Sequence, residues 1–159
     1  MINRRKFLQA SGLLAGSSLA PAFLSSTFGA GHSGTQKIGC LFSSSGAMAN
    51  VEGRLNSVVE MAVAELNAAG GVLGKTIETV ITDPASDWPL YAQNGRQLLL
   101  QEQCKALFGC WTSVSRKSVL PVVEQNDGLL YYPLHFEGEE NSDSVVYMIS
   151  PPASSVLPA

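Results

Sequence analysis

The sequence is poor in cysteine, and the cysteines that it has do not form a disulfide framework. Its 159 residues contain 3 Cys, at positions 40, 104 and 110, and an odd number cannot pair completely. Cys40 and Cys110 fall in or beside predicted strands, where free thiols behave as small apolar residues. A disulfide between Cys104 and Cys110 remains open as an alternative. We expect free thiols, because a predicted strand separates the two residues.

Basic residues are also scarce once the N-terminal segment is set aside. The chain has 10 Lys and Arg against 13 Asp and Glu, and residues 1–30 hold three of the basic residues and no acid. Residues 31–159 therefore carry a net charge of −6. Nucleic acids and anionic membrane surfaces require a basic footprint, so neither is expected as a partner.

The sequence lacks an apolar run long enough to cross a membrane as a helix. Leu13–Ala22 is far shorter than the ~20 apolar residues that a span needs, and it follows the basic segment Arg4-Arg5-Lys6. A basic segment, then an apolar segment, then small residues is the layout of an export signal. The paired arginines resemble a twin-arginine signal. This predicts a signal peptide at residues 1–30 and a periplasmic protein.

Strand and helix patterns alternate through the rest of the chain. Short apolar runs predict strands, and apolar residues at three- and four-residue spacing predict helices. The predicted strands are 37–42, 77–82, 106–109, 129–132 and 145–148. The first helix is expected to bury one apolar stripe, formed by Val51, Leu55, Val58, Val59, Ala62 and Leu66. The alternation predicts an α/β fold, with a parallel open sheet, right-handed crossovers and helices on both faces.

Two of the predicted strands run into loops rich in hydroxyl and aromatic side chains. Phe-Gly-Cys-Trp-Thr-Ser-Val-Ser-Arg-Lys occupies 108–117, and Tyr-Tyr-Pro-Leu-His-Phe-Glu-Gly-Glu-Glu occupies 131–140. Ligands of open parallel sheets bind where such loops leave the carboxyl ends of the strands. The two loops therefore predict two walls of one small-molecule site.

The same two motifs resemble the urea and short-chain-amide branch of the type I periplasmic binding proteins. Asn-Ala-Ala-Gly-Gly-Val-Leu-Gly-Lys at 67–75 and Asp-Pro-Ala-Ser-Asp-Trp-Pro-Leu at 83–90 fit that branch too. The resemblance covers about residues 37–148 and implies that 31–148 form the first part of an N-terminal ligand-binding lobe. It implies capture of urea or a short amide for the membrane subunits of an ABC importer, by hinge closure of two lobes and without a cofactor.

Ser113 is the first candidate for a ligand contact. It follows the third strand and opens a helix, so its hydroxyl and the nearby backbone N–H groups face one point. Thr112 or Ser113 is expected to be the N-cap of that helix. The resemblance implies ligand contacts for Ser113 and for the aromatic walls Trp111 and Tyr132.

Other residues of the predicted loops complete the candidate site. Thr112 is a weaker candidate through its backbone, and Pro133 belongs to the second wall. His135 and Phe136 depart from the family pattern, which usually carries a polar amide or small residue and then a tyrosine. Ser45 lies in the first binding-site loop, whose Ser-Ser-Ser-Gly sequence lacks the phosphate-binding glycine fingerprints.

Two chemical alternatives have weaker support. One histidine and three glutamates share the second loop, His135, Glu137, Glu139 and Glu140, but a single histidine beside loop glutamates favours a solvated acidic loop over a metal site. Cys110 with Lys117 and Glu137 admits a thiol amidase. Because Cys110 is expected to point into the sheet, we predict no enzyme activity.

The resemblance ends before the C-terminus. Residues 149–159 are rich in Ser, Pro and Ala, which is typical of a linker or a disordered tail. Members of the family are more than twice as long, so the chain is expected to be truncated, poorly stable and a weak binder. Two further functions stay open. One is a cytoplasmic amide-sensing regulator, which would need no signal peptide, and the other is a branched-chain amino-acid binder.

Overall fold

The computed structural model describes residues 34–134 and 140–148. The predicted signal peptide and the predicted tail lie outside the described residues, as do His135 and Phe136. Every structural statement below concerns the described part of the chain.

The described residues form five parallel strands and three helices, which alternate as far as β4 and confirm the predicted α/β class. The elements are β1 Thr35–Leu41, α1 Ala49–Ala68, β2 Thr76–Thr82, α2 Trp88–Leu100, β3 Leu107–Gly109, α3 Ser113–Gln125, β4 Leu130–Tyr132 and β5 Val145–Tyr147. The strand order in the sheet is β2-β1-β3-β4-β5, and all neighbouring pairs are parallel. Each strand lies within two residues of its predicted bounds.

The strand order places helices on both faces of the sheet. The crossover from β1 to β2 moves in one direction across the sheet, and the crossovers to β3 and β4 move in the other. Right-handed crossovers therefore put α1 on one face and both α2 and α3 on the opposite face. The core on the second face joins Leu41, Leu107 and Leu130 from the strands to Leu98 of α2 and Val119 of α3.

The buried face of α1 differs from the predicted apolar stripe. The helix buries Glu52, Asn56 and Val63, whereas Val51 and Val58 are 41% and 52% exposed. Glu52 and Asn56 turn inward because they hold the backbone and side chains of the loop that follows β1. The hydrogen bonds of Glu52 and Asn56 therefore decide which face of α1 is buried, because buried polar groups are tolerated when they are hydrogen-bonded.

The three cysteines are free and buried, as expected. Burial raises the pKa of the Cys40 thiol to about 12, which keeps it protonated and inert at neutral pH. Among residues 34–134 and 140–148, no helix has the length and apolar character to span a membrane.

Candidate functional site

The loops after β1 and β3 leave the sheet side by side and then diverge. The backbone N–H of Cys110 donates to the carbonyl of Leu41 at 3.0 Å, so the two strands end at the same level. The chain after β1 turns to one face of the sheet, and the chain after β3 turns to the other. Such a divergence is a topological switch point, and it leaves a crevice at the carboxyl ends of the strands. The predicted site residues follow these strand ends.

Asp83 holds the first loop from the side of β2. One of its carboxylate oxygens accepts hydrogen bonds from the backbone N–H groups of Ser44, Ser45 and Ala85, at 2.9, 3.3 and 2.9 Å. Partial burial raises the pKa of Asp83, but the Ser45 side chain and then these backbone N–H groups outweigh it and hold the pKa below its usual value. The carboxylate therefore fixes the backbone of Ser45 at the mouth of the crevice.

Two hydrogen bonds of Ser86 hold the same loop against the segment that precedes α2. The Ser86 hydroxyl donates to the carbonyl of Ser45 at 3.0 Å and accepts from the backbone N–H of Met48 at 2.9 Å. Gly46 has φ of +80°, and a Cβ atom there would lie 2.2 Å from the carbonyl oxygen of Ala85. Only glycine allows the two loops to approach this closely.

A buried carboxylate lies beneath the first loop. Glu52 is fully buried, and its Oε2 accepts from the Ser43 N–H at 2.7 Å and from the Tyr91 hydroxyl at 2.5 Å. Because the Tyr91 proton goes to Glu52, the Ser43 hydroxyl is the donor in its 2.7 Å contact with Tyr91. Burial, followed by the contact with Glu52, raises the pKa of Tyr91, so the phenol stays protonated. The network ties α1, α2 and the first loop together.

The loops after β3 and β4 together form the second wall, and its first residue has a left-handed backbone conformation. Cys110 has φ of +66°, which redirects the chain from β3 to the start of α3. Thr112 is the N-cap of α3, because its hydroxyl accepts a hydrogen bond from the Ser115 N–H at 3.1 Å. The Ser115 side-chain oxygen in turn accepts a hydrogen bond from the Thr112 backbone N–H. Ser113 is therefore the first helical residue and not the cap. The capping bonds at this helix start are made by Thr112 and Ser115, which complete a capping box.

A buried arginine lies directly behind Ser113. The Arg116 side chain is 1% exposed, and its Nη1 donates to the Ser113 hydroxyl oxygen at 3.2 Å. Its Nε and Nη2 donate to the two carboxylate oxygens of Glu140 at 2.9 and 3.1 Å. The Tyr147 hydroxyl also donates to Glu140, at 2.7 Å. This bidentate pair anchors the segment that enters β5 to the start of α3.

Tyr132 lies against the same arginine. Its ring is 1% exposed and faces the Arg116 guanidinium, with the Cζ atom 4.7 Å from the ring centroid. Its hydroxyl donates to the carbonyl of Trp111 at 3.1 Å. Burial raises the pKa of Tyr132, although Arg116 and Ser113 act in the opposite direction. Tyr132 thus supports the second wall from below.

The structure brings Trp111, Ser113 and Tyr132 together around Arg116, whereas the printed contacts of Ser45 are with Asp83 and Ser86. Trp111, Thr112, Ser113 and Pro133 are half-buried at the ends of β3 and β4, and Ser45 is exposed at the end of the first loop. The sequence analysis missed the residues that position them, which are Glu52, Asp83, Ser86, Tyr91 and Arg116. A signal existed for Glu52 and Asn56, because a carboxylate and an amide four residues apart share one helix face.

Glu140 gives the fold a testable pH dependence. The hydrogen bond from Arg116 is the main reason why the pKa of Glu140 is lowered from 4.5. Because the pKa of Glu140 is lower in the folded than in the unfolded chain, its carboxylate stabilises the fold at pH values above the unfolded-state pKa. This stabilisation is lost as the pH falls through the folded-state pKa. Urea unfolding, measured from neutral pH to about pH 3, should show a steeper loss of the free energy of unfolding for the wild type than for Glu140→Gln. The exposed Glu124→Gln is the matched control, and equal slopes for Glu140→Gln and the wild type would contradict the expectation.

The two chemical alternatives find little support in the described residues. Residues 34–134 and 140–148 contain no group of three His, Cys, Asp or Glu side chains placed to hold a metal ion. His135, Glu137 and Glu139 lie outside them. Burial raises the pKa of the fully buried Cys110 thiol far above neutrality, which opposes the thiolate that an amidase needs.

The fold and the paired loops define an open α/β lobe that presents its strand ends as a crevice. The chain belongs to the family of periplasmic binding protein domains, because that family's model matches residues 36–159. Its fold matches that of a type I, leucine-binding-protein-like lobe. The resemblance found in the sequence is thus confirmed at the level of the family.

Solved structures of related proteins share this fold. The substrate-binding protein LivJ from Streptococcus pneumoniae, in complex with isoleucine, is 32% identical with a TM-score of 0.60 over 61% of this chain. An amino acid transporter substrate-binding protein from Pseudomonas fluorescens Pf-5 has 19% identity and a TM-score of 0.62 over 70%. A solute-binding protein from Rhodopseudomonas palustris BisB5, in complex with 3,4-dihydroxybenzoic acid, has 16% identity and a TM-score of 0.56 over 61%. The chain covers 28%, 30% and 26% of these three proteins.

Proposed function

We propose that the protein captures urea or a short aliphatic amide outside the cytoplasm and delivers it to an ABC importer. The observation that carries this proposal is the position of residues 108–117 and 131–134, from the two sequence motifs, at one edge of the sheet. Their residues Trp111, Ser113 and Tyr132 converge behind the switch point. The amino-acid sequences of both motifs resemble those of the urea and amide branch of the family.

The chemistry of this edge suits a small neutral amide. The helix α3 begins at Ser113, just after the carboxyl end of β3, and a carbonyl oxygen is a fitting acceptor for the backbone N–H groups at the start of a helix. Trp111 supplies an aromatic surface for a planar ligand. The loop carrying Ser45 is held in place by Asp83 and Ser86.

A second candidate ligand is a branched-chain amino acid. The observation in its favour is the 32% identity to LivJ, which was solved with isoleucine. Both candidates describe a solute-binding protein, and they differ in the charge and size of the ligand.

Titration of the isotopically labelled chain, followed by NMR, tests the proposal. Acetamide, urea and isoleucine are added separately, and backbone amide shifts are recorded. We expect acetamide or urea to move the resonances of Ser45, Trp111 and Ser113 in a saturable way. Saturable shifts with isoleucine alone would establish the second candidate, and no saturable shift with any of the three would refute both.

Substitutions at the second wall should weaken amide binding by measurable amounts. Ser113→Ala is expected to raise the dissociation constant by a factor corresponding to ~1–3 kcal/mol, because it leaves a buried ligand group unpaired. Tyr132→Ala should weaken binding more, and Tyr132→Phe separates the hydroxyl from the ring. The affinities come from the same NMR titration, and circular dichroism checks folding. Folded Ser113→Ala and Tyr132→Ala variants with unchanged affinity would show that these loops are not the binding site.

We also propose that export follows the twin-arginine route. The support is the Arg4-Arg5 pair followed by an apolar segment without acidic residues. Replacing both arginines by lysine is expected to leave the protein in the cytoplasmic fraction, while wild type reaches the periplasm. Undiminished export of the double-lysine variant would exclude this route.

A further inference from the structure

The outward face of α1 carries apolar side chains that the fold leaves exposed. Val51, Val58 and Met61 are 41%, 52% and 59% exposed. Because successive residues of an α-helix are separated by about 100°, these three lie on the side of α1 that faces away from the buried Asn56 and Val63. Large apolar side chains that share one exposed face of a helix indicate an interaction surface.

This face has the residue spacing with which two helices pair. Intervals of three and four residues alternate along it, and all of its members are exposed: Val51, Arg54, Val58, Met61, Glu65 and Ala68, which together form the α1 seam. The alternation is the a and d pattern of a coiled coil. The positions on either side of the seam are uncharged, and they are Asn50, Leu55, Ser57, Ala62, Ala64 and Ala69. No charge beside the seam therefore repels a second helix.

The α1 seam is complementary to a second copy of itself in the antiparallel orientation. When Val58 of one chain lies opposite Met61 of the other, Arg54 lies opposite the partner's Glu65, and the apolar residues at the two ends of the seam also meet. A two-fold axis repeats each of these pairs. In a parallel pair, Arg54 would face Arg54 and Glu65 would face Glu65, and such like-charge contacts are costly. The two charges therefore select the antiparallel orientation and its register.

The chain itself offers these two charges no counter-charge. Neither Arg54 nor Glu65 forms an ion pair within the described residues. Oppositely charged residues three or four positions apart ordinarily pair along a helix surface, but every residue at those distances from Arg54 and Glu65 is uncharged. A second α1 in the antiparallel register supplies a counter-charge to each of them.

We propose that the α1 seam is the contact of a homodimer, in which α1 of one chain packs antiparallel against α1 of a second copy. The contact lies on the face of the sheet opposite α2 and α3, and none of the candidate ligand contacts is part of it. The helix has 20 residues and is about 30 Å long, which places the contact at the small end of specific interfaces. The dimer is therefore weak and reversible. The inference does not depend on which ligand the protein binds.

Sedimentation equilibrium of the full 159-residue chain over a range of concentrations measures this dimerisation. Arg54→Glu places acidic side chains opposite each other, and Glu65→Arg does the same with basic side chains. Each variant is expected to weaken dimerisation by about tenfold or more, because like charges that face each other across an interface repel. Both positions are exposed, so circular dichroism and thermal unfolding should show an unchanged fold.

Two combinations of these substitutions test the pairing itself. The double variant Arg54→Glu/Glu65→Arg exchanges the two charges and should recover dimerisation to within about threefold of wild type. An equimolar mixture of the two single variants should form heterodimers, because one chain then carries two acidic seam residues and the other carries two basic ones. Glu60→Arg is the matched control, since it makes the same change of charge at an exposed position of α1 outside the seam, and it should leave dimerisation unchanged.

The outcomes decide between this homodimer and other uses of the same face. Loss of dimerisation in both single variants, with recovery in the double variant and in the mixture, would establish the antiparallel pair. A wild-type chain that stays monomeric at every soluble concentration would overturn the inference, as it would if another segment of the same chain covered the seam. Association that neither single variant weakens would place the contact elsewhere, such as at an open edge of the sheet, and would also overturn it. Loss without recovery in either combination would exclude the pairing of Arg54 with Glu65.

Discussion

Replacing Gly46 by alanine is expected to lower the free energy of unfolding by about 3 kcal/mol or more. The positive φ of +80° alone costs a residue with a Cβ atom about 1–2 kcal/mol. In addition, the new methyl group would lie 2.2 Å from the carbonyl oxygen of Ala85, a backbone atom that cannot rotate away. The two loops must then separate, which breaks the contacts of Ser86 with Ser45 and Met48.

Two other glycines provide matched controls for this substitution. Gly70 also has positive φ, +104°, but no atom lies within 4 Å of an added Cβ, so Gly70→Ala isolates the backbone cost of ~1 kcal/mol. Gly34 has open space and no positive φ, and Gly34→Ala should be nearly neutral. Urea unfolding of the three variants measures the differences. A Gly46→Ala variant no less stable than Gly70→Ala would refute the tight approach of the two loops.

Glu52→Ala is expected to cost a similar amount, about 3 kcal/mol. Hydrogen bonds to a charged group are worth ~1.5–3 kcal/mol each, and the substitution leaves the Ser43 N–H buried without its acceptor. It also leaves a cavity beneath the first loop, because Glu52 is fully buried. The thermal unfolding midpoint and urea unfolding both report this loss.

Glu52→Gln is the control that separates shape and hydrogen bonding from charge. The amide keeps one acceptor for Ser43 and Tyr91. It also brings donors to a helix face where Oε1 of Glu52 and Oδ1 of Asn56 have no partner among the described residues. We expect Glu52→Gln to retain most of the stability. Equal losses for Glu52→Ala and Glu52→Gln would instead mean that the negative charge itself is required.

Most strands could be predicted from the sequence because they are short apolar runs, and β2 could be predicted because apolar and polar residues alternate along it. The buried face of α1 could not, since Glu52 and Asn56 are directed inward by partners such as Ser43 and Phe42. Those contacts form only after β1 and α1 pack together. Helical spacing alone therefore favoured the adjacent stripe, where Val51 and Val58 are exposed.

In the candidate site too, local sequence patterns predict some residue positions, whereas other contacts depend on the tertiary fold. The positions of Trp111, Thr112 and Ser113 followed from a strand end and a helix start, which are local patterns. The pairing of Arg116 with Glu140 joins residues 24 apart and depends on the β4–β5 register. The ligand does not follow from the fold, because relatives with this fold were solved with isoleucine and with 3,4-dihydroxybenzoic acid.

The burial of all three thiols has a consequence for the lifetime of the protein. An odd number of cysteines cannot be satisfied by internal disulfides, so each unfolding event in an oxidising compartment exposes thiolates that can cross-link between chains. The packed core around Cys104 and Cys110 shields those thiols from oxidants only while it stays closed. Loss of the protein under oxidising conditions should therefore follow the rate of unfolding, not the equilibrium stability, and a thiol reductant should make thermal unfolding reversible.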